Sequence, residues 1–337
     1  MHANRTGTAA LRRGSRAATG AVVAIVLAAC SPAVERSRGT AAIAAVAPEA
    51  TVPSSTTTTA PPVVAPGAAL TSTGVVVPVL EPAGDGWLVG TPCSRTATVT
   101  NLRALPGTVV LDAGHGGSET GAIGAFGSRE SDLNLAVVSY AQQALEAMGV
   151  SAIPTRTRDY RVAITARAAI VDAVKPRAAL SIHHNSSFSH LRETPGTEIF
   201  HQAVGDSSVE SRRLAGLVYE EVTALLARLE VEGWAATPRP GAKPRRNSEG
   251  NDFYGVLRRT QGTPTALVEI GFISNAAEAR HYAEPDVQKA LGEALARGVV
   301  RFMTTNDPGS GYVNPPQLAD DDRLGGGTAN CKDPPLG

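Results

Sequence analysis

Short apolar runs that alternate with helical patterns constrain this chain more than any other feature. Thr108–Leu111, Ala152–Thr155, Ala178–Ile182 and Thr265–Ile270 are each too short for a helix and end in glycine or an ionisable residue, the pattern of buried strands. Between them lie stretches of helical periodicity. One starts near Ser131, with Val138, Ala141, Leu145 and Met148 in step and Gly149 as its stop. Others run around Arg161–Val174, over Ser211–Leu229 with Leu214, Leu217, Val218, Val222 and Leu225 on one side, and over Asp286–Phe302. Thr197–His201 adds a strand. This order predicts an α/β fold, a single domain over 106–305 with a mostly parallel twisted sheet flanked by helices.

The rest of the 337 residues is of different character. Arg5, Arg12, Arg13 and Arg16 precede the apolar run Ala21–Ala29, with no acid before Glu35. A basic start, a short apolar core and small residues predict a signal peptide over 1–29, and the run is too short to span a membrane. It ends in Leu27-Ala28-Ala29-Cys30, which resembles a bacterial lipobox, so Cys30 is the expected lipidation site. Residues 30–72 are rich in Pro, Thr and Ala and predict a disordered tether. Over 73–105, apolar runs flank Asp85-Gly86, which predicts a small β-hairpin module before the α/β domain. The tail 306–337 is Gly/Pro/Asp-rich and is expected to be loose except near Cys331.

With Cys30 set aside, only Cys93 and Cys331 remain. In an exported chain they predict one disulfide, whose long loop would contribute about 4–5 kcal/mol on the chain-entropy model; free thiols are the alternative. Formal net charge is zero, and no basic patch lies outside the signal, which argues against nucleic acid as a partner. Residues 233–252 form a loop long enough to act as an autoinhibitory cover.

In open α/β sheets the ligand crevice lies beyond the carboxyl ends of the strands. Three predicted strands deliver an ionisable group there: His115, His183 or His184, and Glu269. Glu130, at the start of the following helix, faces the same crevice. Two imidazoles and a carboxylate suit a catalytic zinc with a fourth position open, and a second glutamate can carry the proton that amide hydrolysis moves. Glu130 alone could simply favour a helix N-terminus. Adjacent strand residues point to opposite faces, so only one of His183 and His184 can face the metal. Glu269 sits in the apolar run Ala266–Ile270, where a carboxylate without a role is costly. The glycine-rich loop from Gly114 to Gly127 lacks G-x-G-x-x-G and G-K-[ST] and does not run straight into a helix, which argues against a phosphate cradle.

Taken together these motifs resemble the zinc-dependent N-acetylmuramoyl-L-alanine amidases of the type-3 family. The resemblance covers about Thr108 to Phe302. It rests on Val-Leu-Asp-Ala-Gly-His-Gly-Gly ending at Gly117, Glu130-Ser131-Asp132-Leu133-Asn134-Leu135, Thr155-Arg156, Ser181-Ile182-His183-His184-Asn185, Tyr254–Arg258 and Leu267–Asn275. It implies one Zn2+ per catalytic domain, held by His115, Glu130 and His183, with Glu269 as the catalytic carboxylate. The implied reaction is hydrolysis of the amide between N-acetylmuramic acid and L-alanine in peptidoglycan. His184 stands where the family usually has a small residue, and Ala113 where it usually has proline. Asp112, His184, Asn185 and Arg156 are then candidates for orienting a ligand or touching substrate, while for Arg156 and Arg167 alike a contact to a peptide carboxylate and a paired structural role are equally open.

Two other functions fit parts of the pattern. A silent wall-binding or activator protein on the same fold should have lost a ligand or Glu269, and none is lost. A general zinc peptidase would be expected to carry H-E-x-x-H, which is absent. Peptidoglycan is thus the expected partner, with the membrane reached through the lipid anchor and an activator as a further candidate partner.

Overall fold

The computed structural model describes residues 67–187, 196–229, 241–314, 317–318 and 326–337. The signal, Cys30, the tether up to residue 66 and residues 233–240 of the predicted cover lie outside the described residues. The first sheet is antiparallel: β1 (Ala68–Thr71), β2 (Val76–Ala83), β3 (Gly86–Gly90), β4 (Thr96–Val99) and β5 (Leu102–Leu105), in the order β4-β3-β2-β1-β5. It is larger than a hairpin, and β1 lies inside the stretch assigned to the tether (30–72). The reason is pairing: β1 bonds both β2 and β5, a long-range gain that local composition does not signal. Ala83 pairs with Gly86, so the tight turn is Gly84-Asp85, with Gly84 at φ +62°, one residue earlier than the Asp-Gly signal. Val75, Val77, Val89 and Val99 pack with Tyr160, Val162, Ala163 and Ala166 into one core, so this sheet is docked on the domain that follows.

Val109, Val110 and Leu111 are completely buried, as a strand covered on both faces requires. They form β6 (Val109–Ala113), followed by α1 (Glu130–Ala147), β7 (Ala152–Pro154), α2 (Ile164–Val174), β8 (Ala178–Asn185), β9 (Glu198–His201), α3 (Ser208–Leu226), β10 (Gly241–Lys243), β11 (Arg245–Arg246), α4 (Gly255–Arg259), β12 (Thr265–Phe272), α5 (Ala276–Ala283), α6 (Pro285–Thr304) and β13 (Gln317–Leu318). The main sheet has the order β10-β9-β12-β8-β6-β7. Strands β12, β8, β6 and β7 are parallel. β9 runs antiparallel to β12, and β10 follows β9. The result is a mostly parallel sheet with a reversed edge.

Helices α1, α3 and α6 supply most of the core on one face, through Val137, Leu145, Leu214, Val218, Leu291 and Leu295 among others. Gly292 sits where a Cβ would be 2.6 Å from the Ala141 backbone nitrogen. Its hydrogen side chain is what lets α6 press against α1. Fully burying one such leucine contributes about 2 kcal/mol.

The C-terminal segment is held more firmly than its composition suggests. Ala242 N donates to Gly311 O, and Val313 N to Ala242 O, each at 2.9 Å, which covers the open edge of β10. Part of the predicted loop 233–252 is therefore strand. Further on, Cys93 and Cys331 form a disulfide with Cα atoms 5.6 Å apart. Asp333 accepts from Cys93 N at 2.7 Å, from Thr91 Oγ1 at 3.0 Å and from Arg95 Nη2 at 2.6 Å.

Candidate active site

At the carboxyl end of β6 the chain turns sharply into the loop that carries His115. His115 has φ +60° and Gly116 φ +130°, conformations that L side chains rarely adopt and that cluster at functional sites. A Cβ on Gly114 would lie 2.3 Å from His183 Cε1, and one on Gly121 2.5 Å from Glu130 Oε2. These glycines make room: only hydrogen side chains let the loop close over the other polar groups.

Three groups meet there. The candidate ligand atoms of His115, Glu130 and His183 all lie within 4.8 Å of one another. Glu130 Oε1 is 3.2 Å from His115 Nε2 and 2.9 Å from His183 Nδ1. Glu130 is fixed from its other sides by the backbone N–H of Ala122 (2.9 Å, to Oε2), by Asn134 Nδ2 (3.3 Å) and by the backbone N–H of His184 (3.3 Å). Burial alone would raise its carboxyl, but hydrogen bonds and charge from His115 and His183 hold it well below the ordinary range. Two imidazoles and an ionised carboxylate at this spacing are a donor set that suits zinc.

Register explains why His183, rather than its neighbour, enters this group. On β12, Glu269 pairs with His183, which brings both side chains to the strand ends beside one cavity of about 220 Å3. His184 points the other way and is 1% exposed. Its Nδ1 donates to Asn134 Oδ1 at 2.8 Å, its ring meets Tyr282 edge-on at 5.2 Å, and burial lowers its pKa to about 4. His184 thus supports Asn134, which supports Glu130.

Glu269 opens onto the cavity, and its Oε2 is buried with no hydrogen-bond partner among the described residues. Burial, and then the charges of Glu130 and Glu198, push its carboxyl well above the ordinary value. Glu130 and Glu269 therefore sit at opposite ends of the carboxyl range, the arrangement by which sites divide ligand and proton-carrier roles. Glu198, across from Glu269 on β9, is engaged by buried Lys243 at 2.6 Å and by Asn185 Nδ2 at 2.7 Å. Tyr254, Val256 and Leu267 line the cavity beside it.

Other candidates have different surroundings. Asp112 is buried. Burial would raise its pKa, but the Arg167 guanidinium, with hydrogen bonds from Ser181 Oγ and Thr155 Oγ1 at 2.6 Å each, holds it below the ordinary value. Arg167 bonds Asp112 and also donates to His115 O at 2.8 Å, so Asp112 braces the backbone of the His115 loop. Arg156 is fully buried and donates to Ala113 O, Gly114 O and Ser131 O at 2.7–3.0 Å. Its guanidinium is engaged by the carbonyls of Ala113 and Gly114 in the turn after β6 and of Ser131 in the first turn of α1, which is the structural role of the two that the sequence left open. The strand pattern gives no sign of Glu119, Glu198 or Lys243, nor of the place Tyr254 takes in the cavity wall. Glu119 had a signal of another kind, being the sole acid between Asp112 and Glu130.

Residues 109–301 match the family model described as N-acetylmuramoyl-L-alanine amidase. The chain belongs to this family. Among curated proteins the amidase is 29% identical over 208 residues to the uncharacterized protein YqiI of Bacillus subtilis, covering 62% of this chain and 88% of that protein. It is 28% identical over 229 residues to the probable cell wall amidase LytH of Staphylococcus aureus, covering 65% and 67%. Among solved structures it resembles Cwp6 from Clostridium difficile, at 26% identity and TM-score 0.52, over 59% of this chain and 29% of that one. An N-acetylmuramoyl-L-alanine amidase from Clostridium difficile 630 shares the fold at 22% identity and TM-score 0.51, over 60% and 100%. The small sheet and the segment after 301 lie outside the family match, so this amidase carries additions at both ends of its catalytic domain.

Proposed function

We propose that this amidase hydrolyses the amide between N-acetylmuramic acid and L-alanine in peptidoglycan with one Zn2+ held by His115, Glu130 and His183, and with Glu269 as its proton carrier. The observation that supports this most is the meeting of an ionised Glu130 with two histidines beside a second carboxylate whose oxygen is unpaired. A bound zinc would supply positive charge at the scissile carbonyl and acidify water to a pKa of about 7. Glu269 Oε2 takes the proton released as water adds to the carbonyl carbon. It returns that proton to the amide nitrogen as the C–N bond breaks, so the amine of L-alanine leaves neutral. Raised proton affinity suits the second half of that task, since a carboxyl that protonates readily holds the proton until the amine departs. Val256, Leu267 and Ile164 form apolar walls that keep bulk water from the charges inside.

The catalytic set is complete, which favours an enzyme over a silent wall-binding protein. H-E-x-x-H is absent, which argues against a general zinc peptidase. The signal-like start and Cys30 favour an exported, lipid-anchored protein facing the wall, the tether letting the catalytic domain reach peptidoglycan for remodelling or lysis. No helix among the described residues is long and apolar enough to cross a membrane. The similarity to a probable cell wall amidase supports the same location.

Mass analysis of muropeptide digests tests the reaction. Intact stem peptides and free muramyl groups are expected, activity should vanish with chelator and return with zinc, and Glu269→Gln should lower kcat about 100- to 10,000-fold. Cleavage inside the stem peptide would overturn the bond assignment, and an active Glu269→Gln the proton-carrier role. Metabolic labelling with a radioactive fatty acid tests the anchor: wild type should carry label, and label persisting on Cys30→Ala would refute it.

A further inference from the structure

One wall of the catalytic cavity lies beyond the family match. That match ends at residue 301, yet Gly326 lines the cavity together with Ile164 and Glu119. Gly326 O accepts from Ile164 N at 2.8 Å. A Cβ at Gly326 would lie 2.5 Å from Ile164 Cδ1, and its φ is +89°, so glycine is what lets this strap lie flat. Just beyond it, Arg161 grips the strap with both ends of its guanidinium: Nη2 donates to Gly327 O at 2.8 Å and Nη1 to Ala329 O at 2.9 Å.

The same guanidinium faces the His115–Glu130–His183 group on its other edge, through Glu119. Arg161 Nε lies 3.5 Å from Glu119 Oε2, an ion-pair contact rather than a closed hydrogen bond. Glu119 Oε1 lies 3.7 Å from His115 Nδ1, while His115 Nε2 faces Glu130. Glu119 is itself set by a tight turn, with Gly116 N donating to Glu119 O at 2.7 Å. His183 is held by its strand, whereas His115 stands on a glycine-flanked loop with left-handed backbone and needs an outside restraint. At 3.7 Å Glu119 is an ion-pair neighbour of Nδ1 and not a closed hydrogen bond; a carboxylate facing the far nitrogen of a ligating histidine restrains the ring's tautomer and orientation.

We propose that segment 326–331, anchored by the Cys93–Cys331 disulfide, is a working part of the catalytic site: it fixes Arg161, and through Arg161 and Glu119 it orients His115 for the metal. Glu119 and Arg161 are positioning residues in this arrangement. The inference rests on the zinc reading above and deepens it, assigning to the C-terminal strap a role that the family match does not include.

The test compares Zn2+ affinity, by competition with a chromophoric chelator, in full-chain proteins: wild type, Glu119→Gln, Arg161→Gln, Cys93→Ser/Cys331→Ser, and Glu119→Gln combined with the cysteine pair. Glu119→Gln should weaken Zn2+ binding about 10-fold, and the other two changes by roughly 3- to 10-fold. The combined variant should bind no more weakly than Glu119→Gln alone, because strap and carboxylate act through one path. Co2+-loaded wild type and Arg161→Gln should also differ in their visible spectra. Unchanged Zn2+ affinity in Glu119→Gln, or losses that multiply in the combined variant, would overturn the proposal. Should the cysteine pair fail to fold, Arg161→Gln, combined with Glu119→Gln in its place, gives the same comparison with the disulfide intact. A wild type that takes up no Zn2+ would sink the zinc reading itself, a result distinct from equal affinity across the set.

Discussion

Two adjacent histidines at the end of β8 have opposite fates, and the period of a strand is the cause. His183 faces Glu130 and the cavity; His184 is packed against Tyr282 and bonded to Asn134. His183→Ala should therefore abolish zinc uptake, measured as metal content after dialysis. His184→Ala should retain most of it while losing roughly 2–3 kcal/mol of stability, since it leaves a buried gap and an unpaired Asn134 oxygen. Loss of zinc in His184→Ala alone would reverse the assignment. The sequence shows that only one of the two can face the metal; which one is decided by the pairing of Glu269 with His183, a contact between strands far apart in the chain. Arg156 illustrates the opposite difficulty. A basic residue at a strand end reads equally as a substrate contact or a structural group, and nothing local reveals that three carbonyls wait for it.

At the scale of elements, the strands that end in His115, His183 and Glu269 are legible because each is a buried apolar run that stops at an ionisable group. The loop between β6 and α1 is legible in composition but not in purpose. Its glycines provide space where side chains converge, most plainly at Gly121, with φ +68° and a notional Cβ 2.7 Å from His115 Cδ2. Gly121→Ala should weaken Zn2+ affinity about 10-fold or more while leaving the far-ultraviolet circular dichroism unchanged, because only the closure over Glu130 is obstructed. Full affinity in that variant would mean the loop has slack after all. The strand β1 and, apart from the stretch stapled through Cys331, the segment after α6 escape a local reading, since both are held by partners distant in sequence.

For the whole molecule, buried histidines of opposite kinds set how stability responds to pH. Burial lowers His184 and His201 to about 4 each. The unfolded chain binds two protons there that the folded chain refuses, so stability present above pH 6.5 is lost as pH falls toward 4. Glu269, held up by burial and neighbouring carboxylates, works against them, whereas Asp112 and Glu130, held down by their cationic neighbours and hydrogen bonds, add to the loss in acid. His115 has the opposite sign. Burial would lower it, but Glu119 and Glu130 raise it to about 9, so its contribution is complete below pH 6.5 and disappears as pH rises through 9. Metal-free protein should consequently be most stable near pH 6.5, weakening on the alkaline side by roughly 2–3 kcal/mol. Zinc competes for the nitrogen that holds the His115 proton, so loading should remove the alkaline decline and leave the acid one. Urea unfolding at pH 5, 6.5 and 8.5, with chelator and with zinc, measures both limbs. Metal-free stability that rises steadily to pH 9 would show that His115 is not held in its protonated form by Glu119 and Glu130.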